Sequence, residues 1–151
     1  MLRILFVCHG NICRSTMAAC IFTEKAQKRG LSAEFAVDSA ATSREEIGNP
    51  IYPPAARKLS EKGVPILPHR ARQMTAADAS AFDLLIGMDD ANVRNMRRIA
   101  GEVWADKIHR LLDYTGRPGP VADPWYTGDF EQAYRDIEEG CEALLDSLTK
   151  G

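Results

Sequence analysis

Along this chain, short unbroken apolar runs alternate with longer stretches of helical spacing. Ile4-Leu5-Phe6-Val7 has no polar break, as expected for a strand covered on both faces. The pattern that follows predicts a helix from about Ser15 to Arg29, closed by Gly30 in the position typical after a C-terminus. Phe35 to Asp38 reads as a second, weaker strand. Pro53 or Pro54 opens a helix that Gly63 ends, in keeping with proline's preference for the first helical turn. Leu84-Leu85-Ile86 is a third buried strand, followed by a helix near Ala91 to Ala100 and a fourth strand around Lys107 to Leu112. Tyr114 to Gly128 holds three glycines and three prolines and reads as a loop. In the last segment Phe130, Ala133, Tyr134, Ile137, Cys141, Leu144, Leu145 and Leu148 form one apolar stripe at helical spacing, so this helix has a structural task.

Strands alternating with helices predict an α/β fold. The expected architecture is a single doubly wound domain over residues 1–151, with a four-stranded parallel sheet flanked by helices. Such sheets bind ligands beyond the carboxyl ends of their strands, at loops feeding helix N-termini. The first such loop runs from Cys8 to Arg14, between strand 1 and helix 1.

Composition agrees with this reading and narrows the function. The 151 residues are 45% hydrophobic and 26% charged, ordinary for a globular protein and unlike a disordered one. The formal net charge is -2 and the nearest approach to a basic block is Arg94, Arg97 and Arg98, which reads as the wet face of a helix. Nucleic acid is therefore not an expected partner. The apolar run at the N-terminus is too short for a signal peptide and no stretch reaches the length of a membrane span, so the expectation is a soluble, cytoplasmic protein. The four cysteines, Cys8, Cys13, Cys20 and Cys141, match no zinc template, and no metal is expected. Cys20 and Cys141 read as small core residues.

Cys8 opens the sequence Cys8-His9-Gly10-Asn11-Ile12-Cys13-Arg14-Ser15. A cysteine followed by arginine six residues later is weak evidence alone. Here it stands between a buried strand and a helix start, with glycine and asparagine inside. Gly10 permits a positive φ and Asn11 tolerates one, so backbone N–H groups can turn inward as an anion-binding nest at the helix N-terminus. Arg14 can hold two phosphate oxygens. Such an electropositive cradle favours a thiolate nucleophile at Cys8. A thiolate attacking phosphorus needs an acid to protonate the leaving group, and Asp123, stiffened by Pro124 and flanked by Trp125 and Tyr126, is the candidate. Taken singly, Cys8 could merely end a strand and Asp123-Pro124 could be an ordinary turn.

Together these residues resemble the low-molecular-weight protein tyrosine phosphatases. The likeness runs through Phe6-Val7-Cys8, Gly10 to Ser15, Asp38-Ser39-Ala40, His69-Arg70-Ala71-Arg72-Gln73, Phe82-Asp83-Leu84, Met88-Asp89, Asp123-Pro124 and Asp129-Phe130. It implies hydrolysis of phosphotyrosine monoesters through a phospho-cysteine on Cys8, with Arg14 as clamp and Asp123 as general acid and base. It implies that Ser15 hydrogen-bonds the thiolate and that Asn11 holds the loop through a network with Ser15, Ser39 and His69. It implies a redox role for Cys13 as disulfide partner of Cys8, and no metal or organic cofactor. The partners it implies are a phosphotyrosine protein or peptide and, as inhibitor, inorganic phosphate or another oxyanion.

The chain departs from that pattern at three places. His9 replaces an aliphatic or small residue, Thr16 replaces a proline, and Glu45 stands where an aromatic often walls the substrate cleft, leaving the other wall to Trp125 and Tyr126. His9, Gly10, Asn11, Ile12, Cys13 and Ser15 would line the substrate site with Glu45, Trp125 and Tyr126. Either Glu45 faces the cleft, or it points to solvent and Ile47, Tyr52 or another residue closes the wall. Three rival functions share parts of this pattern. The thiol-relay arsenate reductases need cysteines after the third strand, and Gly87 to Gly101 has none. Protein arginine phosphatases typically carry threonine at the position of Ile12. A non-enzymatic anion-binding or redox module would have no need of Asp123.

Overall fold

The computed structural model describes residues 1–149. Strand β1 (Leu2–Cys8) is central, and Ile4 to Val7 are wholly buried. Its side chains alternate between two cores, as the two-residue period of a strand requires. Ile4, Phe6 and Cys8 face one side, packed with helix α1 (Arg14–Lys28) and the final helix, while Leu5 and Val7 face the other. β2 (Phe35–Ala41), β3 (Leu84–Gly87) and β4 (Ile108–Arg110) complete a parallel sheet in the order β2-β1-β3-β4. The chain leaves β1 for a neighbour on one side and later returns to the other, so the strand order reverses at β1. The crevice that this reversal opens lies beyond the carboxyl end of β1, at Cys8.

The expected strands and long helices are present, with altered bounds. α1 begins at Arg14, one residue before the expected start, and Gly30 follows it with φ 71°. β2 continues past Asp38 through Ser39, Ala40 and Ala41, small buried residues that pair with the end of β1. α2 (Pro53–Glu61) opens on proline as expected. α3 (Ala76–Ala81), set by a reciprocal cap between Thr75 and Asp78, has no counterpart in the sequence reading. α4 (Asp90–Ala100) starts after a similar cap between Asp89 and Asn92, and exposes Arg94, Arg97 and Arg98. β4 is shorter than Lys107 to Leu112 because 3-10 turns flank it on both sides.

The glycine- and proline-rich segment is not wholly loop. It contains one helical turn, α5 (Pro124–Thr127), capped by Asp123 and ended by Gly128 at φ 73°. α6 (Phe130–Thr149) buries its predicted stripe against α1, with Cys141 fully buried. Gly140 lies on its packed face, where a Cβ would sit 2.5 Å from Leu111 Cγ. Among the described residues no helix is long and apolar enough to cross a membrane.

Candidate active site

The loop after β1 is held from both sides. Outside, Thr42 N–H donates to the Cys8 carbonyl at 2.9 Å, and Ser43 donates to the His9 carbonyl through its N–H at 3.1 Å and its hydroxyl at 2.9 Å. Inside, the turn rests on Asn11, the only described residue other than glycine with positive φ, at 59°. The sequence reading gave that role to Gly10 as well, but Gly10 does not adopt it. A Cβ at Gly10 would meet Glu46 Cγ at 3.4 Å, an ordinary van der Waals contact, so neither backbone angle nor packing demands glycine there.

The Asn11 side chain fixes the proton positions around the sulfur. Its Oδ1 accepts from Arg72 N–H at 3.2 Å, so Nδ2 is the group that donates to Ser15 Oγ at 2.9 Å. Ser15 Oγ lies 3.0 Å from Cys8 Sγ. Having accepted from Asn11, the hydroxyl can direct its single proton at the sulfur. Asn11 N–H also points at Cys8 Sγ, at 3.3 Å. The Asn11 carbonyl accepts from His69 Nε2 at 2.5 Å and from Thr16 Oγ1 at 3.1 Å. Asn11 and Ser15 therefore lie under the pocket rather than on its wall. Ser39 is buried nearby, but its N–H donates to Asp38 Oδ1, and it is the Arg72 N–H that donates to Asn11 Oδ1.

Arg14 is 2% exposed and reaches the floor of the pocket. Nη1 donates to Asp89 Oδ2 and to the Val121 carbonyl, both at 2.8 Å. These bonds occupy both Nη1 protons and orient the guanidinium. Nη2 makes only a long contact, 3.4 Å, to Asp123 Oδ2, so the edge formed by Nη2 and Nε faces the cavity with donors to offer. Burial opposes the charge of Arg14, yet Cys8, Asp123 and Asp89 outweigh it and raise its pKa above the ordinary value. Asp123 accepts from Trp125 N–H at 3.0 Å through its other oxygen, which fixes the carboxyl over the pocket. Cys13 caps α1 without a side-chain hydrogen bond. Burial, then the charges of Cys8 and Asp123, push its thiol up to about 12, so it stays protonated at neutral pH.

The cavity measures about 100 Å³. Cys8, Gly10, Ile12, Cys13 and Arg14 form its floor. Asp123, Trp125 and Tyr126 stand on one side and His9, Glu45 and Glu46 on the other. Trp125 is braced by Tyr52 with ring centroids 4.8 Å apart, so Tyr52 supports the aromatic wall and does not close the opposite one. Ile47 is exposed and outside the lining. Four residues to which the sequence assigned no role contribute to the site: Glu46, Asp89, Thr16 and Arg72. Glu46 adjoins Glu45 and Thr16 lies five residues from Asn11, both usable signals, whereas Asp89 and Arg72 act across the fold. Among the described residues no group of histidine, cysteine or acidic side chains could hold a metal ion.

The family profile described as low molecular weight phosphotyrosine protein phosphatase matches residues 3–151. The chain is 41% identical to the low molecular weight protein-tyrosine-phosphatase YfkJ of Bacillus subtilis, over 99% of this chain and 97% of that one. It is 36% identical to the human low molecular weight phosphotyrosine protein phosphatase, over 95% and 93%. The crystal structure of YfkJ superposes with a TM-score of 0.96, covering 99% of this chain and 96% of that one. A protein tyrosine phosphatase from Entamoeba histolytica, crystallised with Hepes in its active site, gives 0.93 at 27% identity, covering 100% and 99%. A Drosophila arginine phosphatase gives 0.91 at 30% identity, covering 99% of each chain.

Proposed function

The chain belongs to the low molecular weight phosphotyrosine protein phosphatase family, and we propose that it hydrolyses phosphotyrosine monoesters through a phospho-cysteine intermediate on Cys8. Membership makes it a protein tyrosine phosphatase. The residue roles are the further step, and one observation carries them: Cys8 Sγ, with Ser15 Oγ at 3.0 Å and Asn11 N–H at 3.3 Å, sits on the floor of a pocket toward which Arg14 and Asp123 converge.

The substrate phosphate rests against the loop N–H groups and the free edge of Arg14. The Cys8 thiolate attacks phosphorus, forming an S–P bond as the P–O bond to the phenol breaks. Asp123 gives its proton to the departing phenolic oxygen. The resulting Asp123 carboxylate then takes a proton from water, whose oxygen attacks phosphorus. The S–P bond breaks, the electrons return to sulfur, and Ser15 O–H stabilises the thiolate it leaves. Trp125 supplies apolar surface for the phenyl ring, backed by Tyr52. Product phosphate, or another oxyanion, competes for the same cradle.

Cys8→Ser tests the reading. It should abolish turnover while inorganic phosphate still binds, because the nest donors are backbone groups. Acid quench of the unaltered enzyme during turnover should trap phosphate on Cys8. Substantial hydrolysis by Cys8→Ser would overturn the mechanism.

A further inference from the structure

A phosphotyrosine can bring its phosphate to Cys8 only by entering this cavity, so the peptide that carries it lies across the mouth. What borders the mouth therefore meets the residues next to the phosphotyrosine. On one side it is the indole of Trp125. On the other it is two carboxylates, Glu45 and Glu46.

These acids do not simply wave in solvent. Glu46 is partly buried, its carboxylate accepts from Asn49 Nδ2, and its stem packs against the space above Gly10. Its charge contributes to keeping the Cys13 thiol protonated, so the field of Glu46 reaches the cavity floor. Glu45 is exposed at the rim, in contact with His9 Nε2. Of the nearby cations only Arg72 is paired with carboxylates, while Arg44 and Arg70 keep their charge but are held by neutral oxygens outside the cavity lining. Arg44 donates to Gln73, Arg70 to the Gly48 carbonyl, and Arg72 to Asp38 and Asp78. Arg14 is sequestered at the floor. A peptide bringing a phosphate dianion to this rim meets negative charge there, unless its own side chains offset it.

We propose that Glu45 and Glu46 select phosphotyrosine in a basic sequence context, their carboxylates receiving lysine or arginine side chains beside the phosphotyrosine. The proposal rests on the reading of Cys8 as a phosphotyrosine-hydrolysing site. Two such charges at the rim, opposite two in the peptide, give about a tenfold preference at low ionic strength. Screening within about 3 Å at 1 M salt removes most of it.

The test compares kcat/KM for two phosphotyrosine peptides that differ only in two flanking residues, lysine in one and glutamate in the other. A phosphoarginine peptide serves as a third arm. The expected result is about tenfold faster use of the lysine peptide at low salt, shrinking as salt rises. The ratio should fall to about one in Glu45→Gln/Glu46→Gln and reverse in Glu45→Lys/Glu46→Lys. Equal use of both phosphotyrosine peptides, or a ratio that survives the double substitution, overturns the rim's role and leaves the phosphotyrosine reading standing. Hydrolysis of the phosphoarginine peptide alone overturns both.

Discussion

The hydroxyl of Thr16 donates to the carbonyl oxygen of Asn11 at 3.1 Å, beside the His69 Nε2 bond to the same oxygen. A trans peptide is planar, with its C=O and the following N–H pointing in opposite directions. Two donors pinning the Asn11 carbonyl away from the pocket thus turn the Ile12 N–H toward it. Where the family usually has proline, this chain has a residue that helps set an oxyanion donor.

Thr16→Val removes that bond at nearly constant volume. The inhibition constant for inorganic phosphate should rise about 2- to 10-fold, the worth of one net hydrogen bond. KM should follow it more closely than kcat does, and Thr16→Ser should restore both. Phosphate inhibition unchanged in Thr16→Val would make the bond incidental.

Asp123 is held over the pocket by Trp125 N–H and faces Arg14 across 3.4 Å. Asp123→Asn keeps the shape and the acceptor to Trp125 but has no proton to give. For an alkyl or unactivated phenyl phosphate the rate should fall by about 10²–10⁴. For an activated nitrophenyl ester, whose phenolate leaves unaided, the loss in the first step should be much smaller. Burst kinetics on a series of leaving groups separates the two steps. Equal losses across the series would reduce Asp123 to a loop-shaping residue.

Much of this molecule can be read along the chain, where a pattern is local and repeated. β1 and α6 announce themselves because four consecutive apolar residues, or a stripe twenty residues long, leave few alternatives. The cradle is legible too, since Cys8, Asn11 and Arg14 lie within one loop. What stays hidden is short or distant. α3 is six residues of Ala, Asp and Ser with little periodicity, and α5 is a single turn. The end of β2 is built from Ser39, Ala40 and Ala41, which have no strand signature beyond their burial. The partners that orient Arg14 and Asn11 are separated from them by 75, 107 and 61 positions, and one of these is a backbone carbonyl. No local spacing encodes such pairs. Only the closing of the sheet brings them together.

Cys13 gives the last prediction, because its chemistry is set by where it is buried. Peroxide converts the Cys8 thiolate to a sulfenic acid, and attack by the Cys13 sulfur would release water and leave a disulfide that dithiothreitol reduces. Burial first, then the negative charges of Cys8 and Asp123, raise the Cys13 thiol to about 12. Oxidation removes the Cys8 charge, but burial, the largest cause, and Asp123 still hold the Cys13 thiol above its ordinary value. The attacking thiolate is therefore scarce at neutral pH, and its share grows about tenfold per pH unit up to its pKa. Protection should accordingly be partial at pH 7 and more complete at pH 9. The measurement is activity regained with dithiothreitol after a fixed peroxide dose, at each pH, with the mass of the Cys8 peptide to count over-oxidised sulfur. Cys13→Ser should lose recovery at both pH values. Recovery that is equal with and without Cys13, or that falls as pH rises, would leave Cys13 as packing alone.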